Sequence, residues 1–408
     1  MRTRIVIKKD MLVLALILMS VTRVFYLLPD HFGISIISVE NIGALIALIW
    51  FFVKIPLYKN LNFKYAWIAI AFIILAVTSS IQGSRLYSGQ TIFDGLMAQK
   101  QYIACVLAFF PIATSIKQGK LQWRDIINIL RVYAEIQMLL GFFQYIVGPN
   151  HQFMTCYCTT PAIDAKVHRM RIYGSVGYIT MSFMNACGNL LNGHEKNRNR
   201  FYVALTLIYT IIVNQGRGYL MILLVALFVS VLLDKNNPNK KIMLFPIIIL
   251  GIIMVLKSDF VQNILYIITT TNVETQNTFA VRLRSQEFYR TILQKNILLG
   301  GGFPDPSNDA ANIASGVNLG LFVVDNGFWG YAFRFGSVGI IVAIFMIWSD
   351  IKSSLLLYRT KNEYFGFMLL VPILVGILTE VSWFDGFGIL FTMLYFVYFE
   401  EKNRSLIS

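Results

Sequence analysis

The chain has 408 residues, 56% of them hydrophobic and 14% charged, with a net charge of +14. Soluble domains carry about 25% charged residues, so this chain lacks the polar side chains to cover a water-facing surface. Its apolar residues run in long blocks and not in the short alternating segments of a β-barrel, which leaves an all-α polytopic membrane protein of about twelve transmembrane helices.

A helix needs about twenty apolar residues to cross the hydrocarbon core. Blocks of roughly that kind recur at residues 11–28, 34–53, 66–81, 101–116, 126–148, 174–191, 201–214, 218–233, 242–256, 322–348, 364–380 and 386–399. The first follows Arg2, Arg4, Lys8 and Lys9 and has no small-x-small cleavage site behind it, so it reads as a retained span. With that end cytoplasmic, every second connection should be basic. The basic sets are Lys54, Lys59 and Lys64; Lys117, Lys120 and Arg124; Lys196, Arg198 and Arg200; Lys235, Lys240 and Lys241; Lys352, Arg359 and Lys361; and Lys402 and Arg404 in the tail. All agree in phase. Both termini are therefore expected inside, with 1–408 as one transmembrane domain. The net charge is a positive-inside signal and a contact with anionic membrane lipid, not a nucleic-acid footprint.

The outside connections are longer: residues 82–100, 149–173 and above all 257–321, a loop between the ninth and tenth helices. Long loops without a core of their own are functional or disordered. In the second connection, Cys156 and Cys158 are too close in sequence for an unstrained disulfide. No His/Cys cluster has metal-ligand spacing, and no metal or other cofactor is expected. In the third, residues 281–298 read as a helix with Val281, Phe288 and Ile292 on an apolar face and Arg282, Gln286 and Arg290 on another.

Arginine is the anomaly of this outer side, where Lys and Arg should be depleted. Arg169, Arg171, Arg217, Arg282, Arg284 and Arg290 all fall there. Arg217 lies in Asn214-Gln215-Gly216-Arg217-Gly218, the whole link between two apolar blocks. One reading is an anchor that snorkels to the headgroups. The other is an anion site, a permanently charged fork between glycines at the start of a helix. Within or near spans, Arg131 and Glu135 are spaced for an intrahelical pair, and Arg23 and Arg334 for pairing or snorkelling. Glu380, Trp383 and Asp385 mark the last outside turn.

Gln215-Gly216-Arg217-Gly218 before an apolar span resembles the Ser-Arg-Gly element of the bacterial O-antigen polymerase and O-antigen ligase superfamily. The stretch from Arg282 to Lys295-Asn296-Ile297-Leu298-Leu299-Gly300-Gly301-Gly302 is similar to that family's arginine-led helix ending in Asn-Pro-Leu-Leu-Gly-x-Gly, with Ile297 in place of the proline. Asp325-Asn326-Gly327-Phe328-Trp329, followed by Phe335-Gly336-Ser337-Val338-Gly339, resembles its His-Asn-x-aromatic element opening the next span. Arg171-Ile172-Tyr173-Gly174 is similar to a weaker Arg-x-x-Gly element.

The resemblance implies a metal-independent glycosyltransferase of the GT-C type in the bacterial inner membrane, working at its periplasmic face. Its donor would be an oligosaccharide on undecaprenyl pyrophosphate and its acceptor another lipid-linked repeat unit. A chain-length regulator and a flippase are the implied partners. Arg217 and Arg282 would stabilise the departing pyrophosphate, Arg169, Arg171, Arg284, Arg290 and Asn326 would bind substrate, and Asp325 would take the position of the ligases' histidine. Asp325 is then a base or a cap of the following helix. Absence of that histidine favours an O-antigen or capsule polymerase over a ligase transferring glycan to lipid A-core. A polysaccharide flippase, expected to show broken helices or repeat symmetry, and a non-catalytic component of a polysaccharide machine remain as other classes.

Overall fold

The structure is a computed structural model that describes residues 8–29, 38–59, 61–148, 151–155, 157–161, 168–172, 176–234, 278–321, 323–379, 384 and 386–407. Two compact units divide the chain, each discontinuous in sequence. Met1–Ala69, Ala104–Leu220 and Leu390–Ser408 form the first, and Ile70–Ile103 and Met221–Ile389 the second. Every apolar block whose residues are described contains a helix; the block at 242–256 lies outside the described residues.

In the first unit, α1 (Lys9–Val21) packs on α3 (Val39–Tyr58), with a one-turn segment α2 (Arg23–Tyr26) between them. α2 is wound left-handed, with φ of 47°, 53°, 59° and 61°, a conformation that costs roughly 1–2 kcal/mol per residue. Around it, Arg23 pairs with Glu40 at 2.9 Å and the Tyr26 carbonyl accepts the Thr155 N–H at 2.7 Å. Lys54, expected in a basic inside connection, is buried within α3 and bonds to both Asp10 and Ser115 at 2.7 Å. α8 (Trp123–Val147), α9 (Val176–Leu191) and α10 (Lys196–Tyr209) pack against one another. The expected Arg131–Glu135 pair forms at 3.1 Å, and the same guanidinium reaches Asn199 at 3.1 Å and lies over the Tyr202 ring.

The last helix, α16 (Gly388–Ile407), ties early segments of this unit together. Tyr65 lies against Phe396 and Phe399, with centroids 5.8 and 5.7 Å away. Buried Glu400 accepts the Tyr65 N–H at 2.7 Å and pairs with Lys117 at 3.2 Å, and Glu401 accepts the Trp123 N–H.

The second unit holds most of α4 (Ala66–Leu86), then α5 (Ile92–Ala98), α12 (Thr278–Lys295), α13 (Asp309–Ala314), α14 (Gly327–Lys361) and α15 (Phe365–Thr379). Here α14 packs along α15 and against α12. Among the described residues, α3, α4, α8 and α14 are long and apolar enough to cross a membrane. α5 and the helical run Lys100–Lys117, made of α6 (Lys100–Leu107) and α7 (Phe109–Lys117), pass the same test together as a pair bent by 66°. α11 (Arg217–Leu233) and α15 contain shorter apolar helices.

The structure corrects several expectations. The described residues are helical, as expected, apart from one short antiparallel strand pair in the connection at 149–173, β1 (Tyr157–Pro161) with β2 (His168–Ile172). Residues 92–98, assigned to an outside connection, form α5, started by a Thr91/Asp94 capping box. The helix expected at 281–298 runs Thr278–Lys295. α14 continues to Lys361 and is broken at Gly336, where φ is 62° and ψ −159°.

Candidate functional site

The arginine helix of the second unit is positioned by its apolar face. Tyr289 (0% exposed), Leu321, Val323 and Phe333 form a buried cluster, and the expected core residues Phe288 and Ile292 pack against it. The Tyr289 and Phe333 rings are 4.7 Å apart, and the Tyr289 hydroxyl donates to the Leu321 carbonyl at 3.1 Å. These contacts fix α12 against α14 and the 3-10 turn Val323–Asn326 that precedes it. Arg284 and Arg290 are exposed. The side chains of Arg282 and Val281 lie outside the described residues. Asn326 is buried at the N-cap position of α14. The backbone therefore gives that position to Asn326, with Asp325 one residue earlier, its side chain also outside the described residues.

The glycine-rich segment after α12 plugs the break in α14. Ser337 N–H donates to the Ile297 carbonyl at 2.8 Å, Val338 N–H to Leu298 at 3.3 Å, and Gly301 N–H to the Phe333 carbonyl at 2.6 Å. Helix bonds lost at the break are thus replaced by the plug. Both sides need glycine. A Cβ on Gly336 would stand 2.2 Å from the Leu298 carbonyl oxygen, and one on Gly300 would stand 2.3 Å from that of Phe333.

The end of α4 holds the other side of the plug. Tyr87 hydroxyl donates to the Gly301 carbonyl at 2.7 Å, Gln82 to Gly300 at 3.3 Å, and Gln90 to Phe303 at 2.8 Å. Gln90 also accepts the Asp305 N–H at 2.9 Å. Burial pushes the Tyr87 phenol above its ordinary value, so it stays a donor. Arg334 is buried, not snorkelling, with its guanidinium 4.7 Å from the Phe303 ring centre. Sequence reasoning passed over Gln82, Tyr87 and Gln90, whose signal is polar residues continuing the line of an apolar helix.

Arg217 and the β2 arginines belong to the first unit. α10 ends in a π turn (Thr210–Asn214), and Gln215 turns left-handed at φ 51°. The Asn214 carboxamide bridges outward, accepting the Gly216 N–H at 3.0 Å and donating to the Ile172 carbonyl at 3.2 Å. Arg217 is then the first residue of α11, and Gly216 supplies the carbonyl for the Leu220 N–H at 2.9 Å. β2 is thereby docked on the link that carries Arg217. Its register pairs Arg171 with Cys158 and Arg169 with Thr160. The side chains of Arg169, Arg171 and Arg217 lie outside the described residues, as do Glu380, Trp383 and Asp385.

Among the described residues no group of three or more His, Cys, Asp or Glu is arranged to hold a metal ion. The chain matches no family model and no curated protein.

Proposed function

We propose that this chain is a surface-polysaccharide polymerase of the bacterial inner membrane, crossing it about twelve times. It would join undecaprenyl-pyrophosphate-linked repeat units at the periplasmic face. The observation that carries this reading is the convergence within the second unit. The helix that carries Arg282, the Leu298–Gly302 plug and the turn carrying Asp325 and Asn326 follow one another between residues 278 and 326 and pack onto α14 as one structure. Those are the elements on which the family resemblance rests. In the first unit the Arg171 strand is likewise hydrogen-bonded to the Arg217 link.

The acceptor hydroxyl attacks the anomeric carbon of the donor, the bond from that carbon to the pyrophosphate oxygen breaks, and the hydroxyl proton passes to Asp325 or to water. Charge accumulates on the leaving pyrophosphate, where preorganised guanidinium groups lower the barrier. Arg217 and Arg282 take that role, with Arg169, Arg171, Arg284, Arg290 and Asn326 orienting substrate.

One observation favours a second reading. The break in α14 and the 66° bend after α5 are discontinuities of the kind found in transporters, which keeps a lipid-linked glycan flippase in view. The glycan banding pattern of a strain lacking the gene separates the readings. Loss of long chains with one repeat unit still attached supports a polymerase. Loss of every attached repeat, with lipid-linked repeats accumulating outside, means a ligase. Lipid-linked repeats trapped inside mean a flippase.

A further inference from the structure

The second half of α14 carries a carboxyl group that the proposed chemistry does not use. Asp350 is 0% exposed, and neither of its oxygens has a hydrogen-bond partner. One turn further on, the buried Ser354 hydroxyl is in the same condition. The adjacent Ser353 hydroxyl is engaged, donating to the Ser349 carbonyl at 2.8 Å. Ala343, Met346, Asp350, Ser353, Ser354 and Leu357 make the buried stripe of α14, so the carboxyl faces protein and not lipid or water.

Among the described residues, no charged group meets it there. α15, the helix packed along α14, has no ionisable residue from Phe365 to Thr379. α12, which packs against the other end of α14 through Tyr289 and Phe333, keeps Arg284, Glu287 and Arg290 exposed. On α14 itself, Lys352 and Arg359 are exposed and lie roughly 160–180° around the helix from Asp350. Lys361 is three turns away. An isolated carboxylate in such surroundings is too costly to persist, and such groups neutralise instead. Hard metal cations are held by about six to eight oxygens. Among the described residues the free donors at hand are one carboxyl and one hydroxyl, since the helix carbonyls are engaged along α14.

We infer that Asp350, with the Ser354 hydroxyl beside it, is a proton-binding site inside the longest helix of the protein. The carboxyl is loaded at neutral pH and is unloaded only by alkali. Unloading it adds one negative charge to the interior of the helix whose first turn follows Asp325 and Asn326.

Infrared difference spectroscopy of the purified protein tests this without any assay of function. The spectrum of the wild type minus that of Asp350→Asn, both at neutral pH, should contain the carbonyl stretch of a protonated carboxylic acid and no carboxylate bands. Raising the pH should convert the first into the second, about tenfold in acid-to-carboxylate ratio per pH unit. Asp350→Glu should move the acid band and not remove it, which holds the assignment if the Asn variant fails to insert. Carboxylate bands at neutral pH would overturn the proposal. So would an acid band that survives until the protein unfolds, or its loss when sodium replaces choline at fixed pH, which would make this a metal-cation site.

Discussion

Arg217 separates the two meanings of a charge at a membrane edge. It opens α11 directly after Gly216, and Asn214, two residues before that glycine, is tied to β2. An anchor that snorkels to the headgroups and a guanidinium that binds an anion predict different outcomes of substitution at this position. Arg217→Ala and Arg282→Ala should each cut polymer synthesis on the order of a hundred- to a thousandfold while the protein still inserts. Arg217→Lys should also be poor, because an ammonium cannot make the bidentate contact. Normal chain length in both Arg217 variants would return the residue to anchoring. Asp325 carries the most exposed expectation. General-base catalysis is worth about a hundred- to ten-thousandfold, whereas Asn and Asp cap helices almost equally. Since the N-cap position belongs to Asn326, Asp325→Asn should abolish polymer at unchanged protein level. Full activity in that variant would remove Asp325 from the chemistry. Arg131 and Glu135 were legible from their spacing alone. The burial of Arg334 over Phe303 was not, because it depends on a ring brought in from the plug.

Helices were legible wherever an apolar run was long, since burial of a whole helix leaves a composition signal that no turn can mimic. Their interruptions were not. Gly336 sits among apolar residues and reads as an ordinary helix glycine, and only the incoming Leu298 carbonyl shows why a side chain is forbidden there. The strand pair 157–161 and 168–172 was missed because its strands are short and polar. Gly336→Ala should therefore act on the plug as a unit. A non-glycine residue in that backbone region costs about 1–3 kcal/mol, before the clash is counted. Thermal unfolding in detergent should show a clear drop in Tm. Tyr87→Phe should cost less, about 1–3 kcal/mol for leaving the Gly301 carbonyl unsatisfied.

At the scale of the whole molecule, the basic connections predict sidedness. Reporter fusions after Gly89, Asp164 and Asn308 should read periplasmic, and fusions after Lys120, Asn237 and Arg404 cytoplasmic. A single reversed reading would shift the alternation and carry Arg217 or the plug to the side without substrate. The charge pattern makes this much readable because loops report their side by composition. The partition into two interleaved units is another matter. It is set by which helices touch, and hydropathy carries no record of that.

The interleaving has a consequence for how the protein is made. Glu400 and Glu401 supply acceptors to the backbone at Tyr65 and Trp123 and a counter-charge to Lys117, all segments that leave the ribosome hundreds of residues earlier. Until α16 emerges, those donors in the first unit wait without their partners, and its early helices are stored in the bilayer as an unfinished bundle. A ribosome that stalls before residue 388 leaves a product with nearly every helix inserted but the first unit still open. Such a chain should be a substrate for membrane proteases, so late nonsense mutations should remove the protein altogether instead of shortening it.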